Sequence, residues 1–126
     1  MILSVKTRET TELVDITSKI NRLVQESGVD QGLCMLYVPH TTAAVTINES
    51  ADPSVKSDML MILNQIIPWE ANYRHLEGNS AAHIKATLVG SSELIAIEIC
   101  ENASLALLNK VFATRPLECR SIINEP

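Results

Sequence analysis

A chain of 126 residues with 46% hydrophobic residues has the size and apolar content of one domain around one core, residues 1–126. Its formal net charge of −5, with only 10 scattered basic residues, lacks the basic stripe that nucleic-acid backbones require and excludes nucleic acid as the main partner. No apolar run is long enough to span a membrane, and the opening residues 1–8 are too short and too soon charged to read as a signal peptide.

In chain order, residues 2–7 alternate well enough to form an opening strand, with Leu3 and Val5 on one side. Asp15 or Thr17 supplies the cap of a helix whose stripe is Ile16, Ile20, Leu23 and Val24, and Gly28 ends it. Residues 33–38 are a continuous apolar run of strand length closed by Pro39. Residues 40–49 are strand-like again. Regular alternation puts His40, Thr42, Ala44, Thr46 and Asn48 on one face, with Thr41, Ala43, Val45, Ile47 and Glu49 on the other. Asp52-Pro53 starts a second helix, a capping side chain followed by proline at the first helical position. Val55, Met59, Ile62, Leu63, Ile66 and Ile67 form its buried stripe, and Pro68 stops it.

Residues 69–80 form a long polar loop, of a kind more often functional than idle in a small domain. Residues 83–89 and 94–99 read as two strands of a hairpin turning at Gly90-Ser91-Ser92. The tail adds two strands, residues 105–112 and 117–123, around Arg115-Pro116. The order β-α-β-β-α-β-β-β-β predicts an α+β fold, a mostly antiparallel, sandwich-like core with two helices. Aromatic residues are only 3% of the chain, so Ile, Leu, Val, Ala and Met must build that core, and a short chain of this kind gains stability by association. Cys34, Cys100 and Cys119 sit in apolar surroundings without a Cys-x-x-Cys pair, the pattern of buried free thiols in a reducing cytoplasm.

All three histidines fall inside two short polar motifs. His40 opens His40-Thr41-Thr42-Ala43-Ala44, which runs on to Asn48-Glu49, and His75 and His83 bracket His75-Leu76-Glu77-Gly78-Asn79-Ser80-Ala81-Ala82-His83. Three chemistries stay open. His40, His75 and His83 together would hold a divalent metal such as zinc and leave one coordination position for water or substrate. Without a metal, the histidines with Glu49, Asp58 and Glu77 supply general acids and bases, although Asp58 lies beside Lys56 in a charged stretch that equally suits a solvated helix face. Thirdly, Thr41-Thr42 and Gly78-Asn79-Ser80 offer hydroxyls and backbone N–H groups suited to a small phosphate-bearing molecule or another anion. There is no Gly-rich nucleotide loop and no local signature of a serine or cysteine nucleophile.

At these motifs the chain resembles the YjbQ family, small proteins also labelled secondary thiamine-phosphate synthases. The resemblance covers about residues 1–100. Its carriers are Gly32-Leu33 leading to His40-Thr41-Thr42-Ala43, then Asn48-Glu49-Ser50-Ala51-Asp52-Pro53, Asp58, His75-Leu76-Glu77-Gly78-Asn79, Ala82-His83-Ile84 and Gly90-Ser91-Ser92. The resemblance implies an α+β fold assembled as a homotrimer, with the histidine motifs gathered near a subunit boundary around a bound metal or anion. Carried over residue by residue, the site candidates are His40, Asn48, Glu49, Asp58, His75, Glu77, Asn79 and His83. The activity linked with the family joins a pyrimidine diphosphate to a thiazole phosphate and releases pyrophosphate, and it is regarded as secondary to an unassigned cellular role.

The chain departs from the family pattern after Cys100. The family's Gly-Thr-Trp-Gln block and its Asp-Gly-Pro-Arg ending have no counterpart in residues 101–126. Arg120 is the candidate counterpart of a second family arginine, and hence a candidate phosphate ligand, with Arg115 a stand-in. The expectation is a cytoplasmic homotrimer with a histidine-rich, metal-capable pocket and weak thiamine-phosphate-synthase-like transferase activity. The alternative is a trimer that holds a small anion, metal or metabolite without converting it.

Overall fold

The computed structural model describes residues 1–98, 109–113 and 119–122. Its elements are β1 (Ile2–Val5), β2 (Glu12–Asp15), α1 (Thr17–Ser27), β3 (Gln31–Tyr37), β4 (Ala44–Ile47), α2 (Pro53–Ile66), α3 (Ser80–Val89), β5 (Ser92–Glu98), β6 (Asn109–Ala113) and β7 (Cys119–Ile122). Every described strand pairing is antiparallel: β1 with β7, β2 and β4 on either side of β6, and β3 with β5. The expected α+β class with an antiparallel core therefore stands. Three helices are present where the sequence predicts two.

The local chemistry explains the helices. Neither Asp15 nor Thr17 caps α1 as expected: the N-cap position is Ile16, which has no capping side chain, and Asp15 Oδ1, one residue earlier, accepts the Thr17 N–H at 2.9 Å. Ile16, Ile20 and Val24 turn inward, and Gly28 leaves the helix at φ 68°, a left-handed conformation that a side chain would strain. At the start of α2, Asp52 Oδ1 accepts the Ser54 N–H at 2.8 Å, with Pro53 in the first turn. That bond holds the Asp52 carboxyl below the ordinary carboxylate range. A carboxylate with a lowered folded-state pKa stabilises the fold above its unfolded value and loses that contribution as pH falls through the folded one. Asp52→Ala is therefore expected to lower the melting temperature at neutral pH, and the gap to the parent protein narrows on acidification. Parallel thermal melts at neutral pH and below about pH 4 check this.

The first half of β4, Ala44 and Val45, is buried on both faces and divides the apolar interior. Val45 belongs to a cluster with Val5, Ile20, Cys34, Leu36 and Ile97, between α1 and the inner face of β3 and β5. Ala44 and Leu13 belong to a second cluster with Leu63 of α2 and Ala86 of α3. A strand buried on both sides reads as a continuous apolar run, as Ala43-Ala44-Val45 does. Cys34 is a buried free thiol, as expected, and burial pushes it above the ordinary thiol range. Cys100 lies outside the described residues, and at Cys119 the description is of the backbone alone.

The structure makes four further corrections. Residues 83–89 belong to α3, not to a strand, so β5 pairs with β3 and no hairpin turns at Gly90-Ser91-Ser92. The short strand β2 precedes α1 and pairs with β6. The strand-like run at 40–49 is a strand only over Ala44–Ile47, so His40 and Asn48 do not share a strand face. In α2 the predicted stripe is buried only at Leu63, with Ile67 beyond the helix end, while Ile62 and Ile66 are exposed. The two tail strands are seen in part as β6 and β7; Leu105 to Leu108 and Arg115-Pro116 lie outside the described residues.

Candidate functional site

His40 owes its position to the end of β3. The Val38 N–H donates to the Ser91 carbonyl at 2.8 Å, and the His40 N–H donates back to the Val38 carbonyl at 2.8 Å. This closes a three-residue turn centred on Pro39 and takes His40 out of the strand line. Thr42, buried behind the ring, fixes the imidazole: its N–H and Oγ1 lie 3.2 and 3.0 Å from Nδ1. Nδ1 either accepts the Thr42 N–H, leaving Nε2–H as a donor, or donates to Thr42 Oγ1, leaving the Nε2 lone pair as an acceptor. In both arrangements Nε2 takes no protein hydrogen bond among the described residues. One threonine thus supports both tautomers, which is what a group that gives and takes a proton needs.

His83 comes from the first turns of α3, a helix with an unforeseen start. Its N–H and that of Ala82 reach the Asn79 carbonyl at 3.3 and 3.0 Å, making Asn79 the residue before the helix. The turn at the β3 end and the face of α3 enclose an open cleft of about 730 Å³. Its wall includes Tyr37, His40, Thr41, His83, Thr87 and Ser91, and among the described residues no Asp or Glu lines it. That volume suits a small metabolite.

His75, Glu77 and Asn79 cluster before and at the start of α3. The His75 and His83 rings meet edge to face, with centroids 5.4 Å apart and planes at 74°. His75 Nε2 lies 3.8 Å from Glu77 Oε2, which also accepts from Asn79 Nδ2 at 3.3 Å. Asn79 Oδ1 is buried with no hydrogen-bond partner among the described residues. An orphaned buried carbonyl is costly and suits a ligand that donates a hydrogen bond.

The sequence-predicted residues thus fall into separate places. His40, Thr41 and His83 share the cleft wall, and His75, Glu77 and Asn79 adjoin it through the His75–His83 contact. Asn48 accepts the Glu49 N–H at 2.8 Å; neither it nor Glu49 lines the cleft. Asp58 is exposed on α2 and lies outside the cleft wall. Arg120 stands in β7 opposite Ser4, where the description is of the backbone. Sequence reasoning named Thr42 only as an anion ligand beside Thr41, missing its bond to the His40 ring, and did not single out Tyr37 or Ser91 as cleft residues. The Thr42 hydroxyl two residues after His40 was the available signal for that bond.

A metal fits the histidines only in part. Two imidazoles sharing a tetrahedral ion at the usual zinc–nitrogen distance place their ring centroids roughly 5 Å apart, and the His75–His83 pair, 5.4 Å apart in an edge-to-face contact, matches that spacing and no more. Among the described residues of one chain, however, no three His, Cys, Asp or Glu side chains come close enough together to hold an ion. The donor set among the described residues stops at two.

Comparisons with known proteins converge. The family model described as UPF0047 protein YjbQ-like matches residues 1–107. The chain is 46% identical over 97 residues to the UPF0047 protein YugU of Bacillus subtilis, covering 76% of this chain and 74% of the relative. It is 54% identical over 94 residues to the UPF0047 protein MJ1081 of Methanocaldococcus jannaschii, covering 75% and 68%. Its structure is similar to the crystal structure of an uncharacterized conserved protein of the YjbQ/UPF0047 family from Clostridium acetobutylicum, with TM-score 0.88, 38% identity and 98% of both chains covered. A conserved hypothetical protein from Thermus thermophilus is similar at TM-score 0.82 and 35% identity, with 100% of this chain and 99% of that one covered.

Proposed function

The chain belongs to the YjbQ-like UPF0047 family, and on that premise we propose that its histidine cleft binds a small phosphate-bearing metabolite, with His40 and His83 as the groups that hold and protonate it. One observation carries this reading. In a protein of net charge −5, the described residues that line the cleft include no Asp or Glu; they are two histidines, hydroxyls and the Gly90-Ser91 turn among apolar groups. Phosphate oxygens accept from such groups, while carboxylates would repel them. His40, backed by Thr42, exchanges a proton at Nε2, and the buried Asn79 Oδ1 awaits a donor on an adjoining part of the ligand.

The working unit in this reading is a homotrimer. The outer face of β3 and β5 carries Leu33, Met35, Tyr37 and Leu94, at 69%, 50%, 42% and 61% exposure, a contiguous apolar set that a second copy would cover. Tyr37 belongs both to this face and to the cleft wall, so the cleft borders the proposed boundary. No helix among the described residues is long and apolar enough to cross a membrane, and we place the trimer in the cytoplasm, in keeping with the buried Cys34 thiol.

The reaction to test is the coupling of a pyrimidine diphosphate to a thiazole phosphate. Pyrophosphate release should be measurable above background and fall at least about tenfold in His40→Ala with the fold retained. Equal rates in the two proteins would remove His40 from catalysis and leave a binding protein. A divalent ion on the His75–His83 pair is the second reading, favoured by the 5.4 Å edge-to-face approach. Elemental analysis of protein purified without chelator, beside His83→Ala, decides it: near-stoichiometric metal lost in the variant supports the ion, and metal-free protein after incubation with zinc rejects it.

A further inference from the structure

Lys85 is the only charged side chain buried among the described residues, at 1% exposure, and it lies two residues after His83 on α3. Its Nζ donates to Asn64 Oδ1 of α2 at 2.7 Å and sits 4.2 Å from the centroid of the Trp69 ring. No carboxylate reaches it among the described residues, and burial pushes its ammonium below the ordinary lysine range. Enclosing an ammonium among neutral partners is costly. For packing alone, a methionine of similar length would serve at lower cost. What a lysine adds is the hydrogen bond to Asn64 and a positive charge against the face of an indole.

That indole opens the loop that carries His75. Trp69 Nε1 donates to Thr11 Oγ1 at 3.0 Å, fixing the far edge of the ring. The Tyr73 hydroxyl donates to the Pro68 carbonyl at 2.8 Å, folding the loop back on its own start. His75 follows two residues later. Two contacts joined by short stretches of backbone therefore link His75 to α3: Tyr73, two residues before His75, is bonded to Pro68, and Trp69, the next residue, stacks on Lys85 of the helix that carries His83. Both members of the histidine pair are referenced to α3, one directly and the other through the Lys85–Trp69 stack.

We propose that Lys85 is a positioning residue for the histidine cleft: stacked on Trp69, it pins the loop over residues 69–79 to α3 and so holds the His75 ring edge-on against His83. Only the ligand arm of the following test rests on the cleft reading above.

The test is two-dimensional NMR of the histidine ring protons in the full chain. The parent protein should give a cross-relaxation contact between His75 and His83. Lys85→Met is expected to keep its fold, with a melting temperature equal to or above the parent's, yet to lose that contact, while Lys85→Arg, which keeps a cation over the indole, retains it. A merely structural lysine would give the reverse: lower stability with the contact intact. Should Lys85→Met not fold, Lys85→Gln removes the charge while keeping a hydrogen-bond donor toward Asn64, and is expected to lose the contact in the same way. The contact surviving in the folded variant overturns the proposal. With inorganic pyrophosphate as probe, binding in Lys85→Met should weaken on the order of ten- to a hundredfold. A parent protein that binds no pyrophosphate removes the cleft reading, while the presence or loss of the ring contact still decides the role of Lys85.

Discussion

Replacing His83 by alanine is expected to weaken pyrophosphate binding by ten- to a hundredfold while leaving the helix that carries it intact. His83 sits on the cleft wall, half-buried, with its backbone already committed to Asn79 and Thr87. Truncation therefore removes a ring and no helix hydrogen bond. A hydrogen bond to a charged group is worth about 1.5–3 kcal/mol, which gives the stated range. His83 also forms one side of the contact with His75, so its loss leaves the His75–Glu77 pair without its ring neighbour. Alanine itself favours helix, so circular dichroism should be unchanged. Titration calorimetry with pyrophosphate on both proteins checks the prediction, and equal affinities would take His83 out of the binding site.

The second large effect is on assembly. Leu94 pairs with Met35 across the β3–β5 ladder, and both side chains stand on the outer, exposed face. Leu94→Asp costs a lone chain little, because that side chain faces water. In a homotrimer that covers this face, the same change buries an unpaired carboxylate against apolar groups, at a cost of several kcal/mol per site. We expect light scattering to report a trimer for the parent chain and a single 13.8 kDa chain for Leu94→Asp, with the melting transition of the isolated fold preserved. A parent protein that runs as a monomer at high concentration would refute the trimer and require another partner for this face.

Much of the scaffold was legible in the sequence because local chemistry and tertiary packing agree there. Asp52-Pro53 is both a cap signal and an observed cap, and the stripe of Ile16, Ile20 and Val24 is both periodic and buried. α3 was misread because Ile84, Ala86 and Leu88 alternate with Lys85 and Thr87, a period of two that imitates a strand. The helix breaks that pattern: Lys85 is buried beside Ala86, while Ile84 and Leu88 are exposed with Thr87. The decisive partners, Asn64 and Trp69, lie 21 and 16 residues away in sequence, the first as the acceptor of its hydrogen bond and the second as its aromatic platform. Ala81, Ala82 and Ala86 are the apolar residues that α3 does bury, a helical spacing that the strand reading passed over.

The site divides in the same manner. The histidines were named from composition and motif alone, and two of them line the cleft with the third in contact. The partnership of His40 with Asn48 depended on a strand through both residues, and the turn at Pro39 removes it. The role of Thr42 needed the fold, since nothing in the sequence says that its hydroxyl rather than that of Thr41 backs the ring.

The most direct measurement is an NMR titration of the full chain with pyrophosphate, following the ring signals of its three histidines. The cleft account predicts that the His40 and His83 signals shift together and saturate at one affinity, with His75 responding through its contact with His83. Histidine signals that stay unmoved at millimolar pyrophosphate, or that move without saturating, would contradict it.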